Sequence, residues 1–185
     1  MALTASKMNQ LSSKLQKFSL PDVTNDGARY SVTLERDKPL LVVFICNHCP
    51  YVVHIIDALV AIVKTHQKQI ETVFISSNDV DAYPDDSPSN MKKFAKEHKF
   101  TAPYLYDESQ SVAKSFSAQC TPDFFLYNDS CKLVYEGQFD SARPNNNHPV
   151  IGEDLGEAMK AVLYDLPKIE HQIPATGCSI KWKVE

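Results

Sequence analysis

At 185 residues, with 43% hydrophobic and 23% charged residues, the chain carries enough apolar material for one well-filled core, and its length gives no reason to divide it in two. A formal charge of −4, without any run of Lys and Arg, argues against a nucleic-acid partner, because phosphate-binding domains present a basic face. The longest apolar stretches, 40–45 and 52–63 (the latter interrupted by His54 and Asp57), are too short or too polar to cross a bilayer, so no membrane partner is expected either.

Residues 1–17 are polar with scattered apolar positions and read as a short helix or a loose arm. The first twenty residues lack the continuous apolar segment and small-residue cleavage site of a secretory signal, so a cytoplasmic setting is expected. Thiols stay reduced there, and five cysteines (Cys46, Cys49, Cys120, Cys131 and Cys178) do not read as a disulfide framework. The odd count points to reactivity rather than stapling.

From 18 to 34 the pattern is strand, turn, strand, with Pro21 and Asn25-Asp26-Gly27 as turn chemistry and Tyr30, Val32 and Leu34 alternating with polar neighbours. The unbroken apolar run 40–45 is rich in β-branched residues and predicts a strand covered on both faces. Cys46-Asn47-His48-Cys49-Pro50 follows, and then a helix to about 69. Val52, Ile55, Ile56, Leu59, Ile62 and Val63 recur on one face of that helix. A second buried strand over 72–75 completes a βαβ unit with parallel strands. Residues 77–89 form a polar loop, and its Asp-rich part, 79–86, lacks the glycine and terminal glutamate of a calcium loop and reads as solvated.

Ser89 is a candidate cap for a helix over 90–98. A short strand at 104–106, a short helix at 109–116 and an antiparallel hairpin of 123–127 with 132–136 come next. The polar loop 137–149 precedes a last helix over 153–164, and 166–185 is an extended tail. The domain expectation is therefore an N-terminal arm (1–17), one α/β domain (18–165) and a C-terminal tail (166–185) packed on it.

The chemistry points to Cys46 and Cys49. Cysteine reacts as thiolate, and the free N–H groups and dipole of a helix start favour negative charge on sulfur. Two cysteines separated by two residues at such a turn can close and open a small disulfide ring. The expected roles are an exposed, attacking Cys46 and a resolving Cys49 one turn inside the helix, with Asn47 and His48 tuning the thiolate; a protonated His48 adds positive charge between the sulfurs. The alternative is half of a zinc site, but no second CxxC or close His pair supplies the remaining ligands. No metal and no cofactor beyond the Cys46–Cys49 disulfide is expected.

The run Phe44-Ile45-Cys46-Asn47-His48-Cys49-Pro50-Tyr51-Val52 resembles the thioredoxin-like, peroxiredoxin-related group of the AhpC/TSA family. So do Ser77-Asn78-Asp79, Tyr83-Pro84-Asp85-Asp86-Ser87-Pro88, Pro103-Tyr104-Leu105-Tyr106-Asp107-Glu108, Cys120-Thr121-Pro122-Asp123-Phe124-Phe125 and Gly177-Cys178-Ser179-Ile180-Lys181-Trp182-Lys183. The resemblance covers about 18–183. It implies a thioredoxin-like α/β fold with a central mixed sheet flanked by helices, beginning with an N-terminal β-hairpin. It also implies a cis bond at Thr121-Pro122 facing the sulfurs, beside a backbone edge open to a substrate peptide. The same family supplies a second reading, a thiol peroxidase with Cys49 as the peroxide-reacting thiol, although the proline that peroxiredoxins carry shortly before this motif is absent from 41–44.

The expected activity is thus thiol–disulfide exchange or peroxide reduction. Its substrates are a protein or small-molecule disulfide, or a peroxide, and an external thiol is the reductant. A non-catalytic zinc- or partner-binding domain is the alternative of a different class. Accessory candidates are Cys120 (read more readily as a buried small hydrophobe), Cys178 (a third thiol should the tail fold back) and Arg143 (to hold a thiolate or an acidic substrate). Cys131 has no evident role.

Overall fold

Apolar runs and alternating stretches become strands much as their patterns suggest. The computed structural model describes residues 3–167 and 169–184. In chain order its strands are β1 (Leu3–Ala5), β2 (Phe18–Asp22), β3 (Ala28–Val32), β4 (Leu40–Phe44), β5 (Glu71–Ser76), β6 (Tyr104–Tyr106), β7 (Cys120–Thr121), β8 (Asp123–Tyr127), β9 (Leu133–Gly137) and β10 (Thr176–Ser179). The helices are α1 (Pro50–His66), α2 (Pro88–Glu97), α3 (Ser111–Phe116) and α4 (Glu153–Leu163).

Seven strands form a mixed central sheet in the order β3-β2-β6-β5-β4-β8-β9. β4 runs parallel to β5, and β5 to β6, whereas β8 and β9 are antiparallel additions on the other side of β4. Every residue of β4 is buried. Because side chains alternate across a strand, Leu41 and Val43 pack with α1, α2 and α4 on one face, while Leu40, Val42 and Phe44 pack with α3 and the arm and tail residues Leu15 and Ile180 on the other. α1 buries Val52, Ile55, Ile56, Leu59, Val60 and Val63, the spacing that its amphipathic pattern requires.

The hairpin of β2 and β3 turns through Val23–Asn25, where the Asp22 carboxylate accepts from the Thr24 amide at 2.9 Å, and through Asp26 and Gly27 at positive φ. Pro21 lies inside β2 instead of in the turn; β2 meets β6 at a single residue pair, Asp22 with Leu105, so the missing N–H of Pro21 removes little from the ladder.

Several boundaries depart from the sequence pattern. The arm is neither helix nor loose: β1 is a strand, and Lys14 bridges to Lys132. α2 begins at Pro88 with Ser87 before it, not after a cap at Ser89, since proline suits the first helical position. α1 ends at His66 and α3 starts at Ser111, both shorter than the periodicity suggested. The tail contributes β10, which lies between β1 and β7 in a separate three-stranded antiparallel sheet. Among the described residues no helix is long and apolar enough to cross a membrane.

Candidate functional site

The chain leaves β4 at Phe44, Ile45 extends the pairing through its amide to the Ile75 carbonyl, and α1 begins at Pro50. Cys49 is therefore the N-cap residue, with φ −73° and ψ 119°, and its carbonyl accepts from the amides of Val52 and Val53 at 3.0 and 2.9 Å. The sequence reading had set Cys49 one turn inside the helix and Cys46 at its start. The helix start falls on Cys49 instead, and the positive end of the dipole acts there.

Neither sulfur is exposed as expected for an attacking Cys46: Cys46 is 1% and Cys49 0% accessible. Their environments pull them in opposite directions. The Cys46 thiol donates a hydrogen bond to Cys49, which raises Cys46 well above an ordinary thiol; burial and the nearby Asp86 carboxylate push it the same way. Cys49 is lowered to about 5, first by that bond from Cys46 and then, against its burial, by hydrogen bonds from Thr121 and Cys178. The Thr121 hydroxyl stands 3.4 Å from Cys46 Sγ, and in its thiol form Cys49 can donate to the Thr121 carbonyl at 3.1 Å. All five cysteines are free thiols.

One residue organises the loop that carries the pair. Asp86, from the segment expected to be solvated, is 0% exposed. Its Oδ1 accepts from the Asn47 backbone amide at 2.8 Å and its Oδ2 from Asn78 Nδ2 at 2.7 Å, while His48 Nδ1 stands 2.8 Å from Oδ2. That carboxylate raises the His48 pKa against the opposing effect of burial. The Asn47 side chain turns to the neighbouring loop: Nδ2 donates to the Asp85 carbonyl and Oδ1 accepts from the Tyr104 hydroxyl. Its role is to fasten the loop. The His48 ring stacks on Tyr83, and Lys181 Nζ from the tail stands 5.8 Å from the Tyr83 ring centroid. No periodicity or spacing marks Asp86; the family resemblance had flagged its segment but not its burial.

Thr121-Pro122 is cis, as the resemblance implied. The backbone edge beside it is not open, however. β10 already pairs with β7, setting Cys178 opposite Thr121 and Ser179 opposite Cys120.

The remaining candidates divide. Cys178 joins the site, as a hydrogen-bond partner of Cys49, and its own pKa is raised to about 12 by burial and by the proximity of Cys49. Cys120 is buried and faces the Pro122 carbonyl at 3.6 Å; burial first, and then Asp123, raises its pKa. Arg143 reaches Thr176 Oγ1, Gln138 Oε1 and the carbonyls of Asp140 and Ala142, so it binds a loop to β10. Cys131 donates to the Leu34 carbonyl at 3.3 Å. Two hollows of about 750 and 720 Å³ lie along β2 and are lined by none of the cysteines.

Cys46, His48 and Asp86 offer donor atoms within 4.8 Å of one another. They fit a zinc ion poorly. Two ligands on a tetrahedral zinc stand roughly 3.4 Å apart, whereas His48 and Asp86 close to the 2.8 Å of a direct ion pair, and both Asp86 oxygens are already engaged by amides.

The Redoxin family profile matches residues 10–155. Among solved structures, an uncharacterized conserved protein from Geobacillus kaustophilus superposes with a TM-score of 0.96 at 44% identity, covering 100% of this chain and 98% of that one. A hypothetical protein from Sinorhizobium meliloti 1021 gives 0.95 at 40% identity, with 98% and 100% covered. A secreted Mycobacterium tuberculosis disulfide oxidoreductase homologous to E. coli DsbE shares the thioredoxin-like fold, with a TM-score of 0.60 at 14% identity over 78% of this chain and 95% of that one. No functionally curated protein matches the chain.

Proposed function

The chain belongs to the Redoxin family, and from that premise we propose that it is a thiol–disulfide oxidoreductase in which Cys49 attacks and Cys46 resolves. The observation that carries this reading is the place of Cys49 as the N-cap of α1, at the positive end of the helix dipole and 3.1 Å from the Thr121 carbonyl, which agrees with a Cys49 pKa that is lowered and a Cys46 pKa that is raised. It reverses the roles read from the sequence, because the nucleophile is the sulfur that exists as thiolate at neutral pH.

The Cys49 thiolate attacks one sulfur of a substrate disulfide; that S–S bond breaks, and half of the substrate leaves as a thiol after taking a proton. Cys46 then gives up its proton and attacks the Cys49 sulfur. The Cys46–Cys49 disulfide forms and the second substrate thiol is released. Two electrons have passed to the substrate, and an external thiol restores the dithiol. Asp86 and His48 hold the loop so that the two sulfurs keep their reach. The depth of the sulfurs favours small disulfides, or partners able to draw β10 aside.

That same depth favours a second reading, a thiol peroxidase acting through Cys49, because a peroxide needs little space to reach a covered thiolate. One set of variants separates the two. Under exchange chemistry, Cys49→Ser loses turnover of glutathione disulfide and of insulin with dithiothreitol, while Cys46→Ser still takes half of the substrate onto Cys49 in its first turnover. Retained turnover in Cys49→Ser overturns the assignment. Rapid peroxide consumption by Cys46→Ser in its first turnover, with no disulfide turnover in the unaltered protein, selects the peroxidase.

A further inference from the structure

The tail strand brings a third sulfur to the site along the edge where a substrate strand was expected. Cys178 stands opposite Thr121, whose carbonyl lies 3.1 Å from Cys49 Sγ, and its thiol and backbone amide help to hold the Cys49 pKa down. Two features hold it there. Gly177 passes so close to β7 that a Cβ would meet the Thr121 carbonyl oxygen at 1.9 Å, so only glycine lets the strand lie this near. On the other side Leu3 pairs with Cys178 and Thr4 with Gly177, which seats β10 between β1 and β7. The Cys178 side chain is buried at 4% exposure, turned to the site and not to solvent.

We propose that Cys178 is a second resolving thiol for Cys49, giving the site two alternative disulfides, Cys46–Cys49 and Cys49–Cys178, with β10 lying in the place of a substrate strand. The inference rests on Cys49 being the reacting sulfur. When Cys49 holds half of a cleaved substrate disulfide, the Cys178 thiol loses its proton and attacks the Cys49 sulfur. The Cys49–substrate bond breaks, the Cys49–Cys178 bond forms, and the substrate leaves as a thiol with that proton. The two cysteines have then lost the two electrons that the substrate disulfide gained. Attack by Cys46 on Cys49 converts this bond to Cys46–Cys49 and returns Cys178 to thiol without net oxidation. The two bonds differ in consequence. Cys49–Cys178 ties β10 over the Thr121 edge, whereas Cys46–Cys49 leaves β10 able to lift and expose that edge to a partner.

The test is a disulfide map of Cys46→Ser protein, reduced and then exposed to glutathione disulfide, digested without reduction and read by mass spectrometry. The expected result is a tryptic pair joining residues 37–64 to 169–181 through Cys49 and Cys178, with loss of glutathione from Cys49. Glutathione that persists on Cys49 without the crosslink overturns the proposal and leaves Cys49 as the reacting sulfur. A Cys49 that takes no glutathione even when Cys178 is also replaced by Ala overturns the underlying reading instead. The unaltered chain, treated with limiting glutathione disulfide, provides the same readout if the serine variant does not fold. There the crosslink is expected beside the Cys46–Cys49 bond, and its absence counts against the proposal.

Discussion

The two sheets of this molecule do different work. The seven-stranded sheet is centred on strands whose residues are all buried, β4 and β8, with aromatic side chains packed edge to face against them. The three-stranded sheet is short and partly polar: Leu-Thr-Ala, Cys-Thr and Thr-Gly-Cys-Ser. The first supplies most of the apolar burial that holds the fold, and the second sets what surrounds the Cys49 sulfur. Stability and chemistry are therefore separable here, and substitutions in the two sheets differ in kind as well as in size.

The largest expected effect lies in the central sheet, on the face away from α1. Phe125→Ala empties a fully buried site between Phe44 and Phe116 and costs about 3–5 kcal/mol, as large core truncations do. Urea unfolding measures the loss, and the Cys49 titration of the folded variant should stay where it was. A shifted titration would mean that the two sheets are not separable.

Next is the joint between the sheets. Asp123 opens β8 and accepts a 2.5 Å hydrogen bond from Ser6, just beyond β1. Burial raises its pKa from 3.8 to about 7. The unfolded chain releases this proton near pH 4 while the folded chain keeps it, so stability declines as pH rises from about 4 to about 7 and is level above that. At about 1.4 kcal/mol per unit the decline is a few kcal/mol. Asp123→Asn should flatten this slope in unfolding experiments run across that range; an unchanged slope would assign it to other groups.

The smallest effect on stability belongs to the edge sheet. Gly177→Ala forces a methyl group against the Thr121 carbonyl and should cost about 1–3 kcal/mol, in the range of overpacked sites. Unlike Phe125→Ala, it should also raise the Cys49 pKa, because β10 carries the Cys178 donors. Unfolding midpoints and thiolate titrations of the two variants, taken side by side, check the contrast.

The same contrast governs what the sequence made legible. The apolar runs of β4 and β5 and the 3–4 spacing of α1 declare their burial directly, because each residue's environment follows from its neighbours along the chain. β10 contains Gly177 and Cys178 between polar residues and exists only through pairing with segments more than fifty residues distant in sequence, so nothing local announces it. The position of Cys46 and Cys49 between the end of β4 and the start of α1 was readable from spacing. Their different surroundings were not, because those depend on where α1 starts to within a residue and on groups from Thr121 and Cys178. Asp86 was missed for a related reason: in an Asp-rich, Pro-rich loop, one carboxylate turns inward to hold Asn47, Asn78 and His48, and composition cannot distinguish it from Asp85 beside it.

The most direct measurement is the ultraviolet absorbance of the thiolate as a function of pH in the reduced protein and in Cys49→Ser. The account predicts a rise centred near pH 5 that disappears with the Cys49 sulfur. A rise that survives in Cys49→Ser, or one centred near the ordinary thiol value of about 8.5, would contradict it.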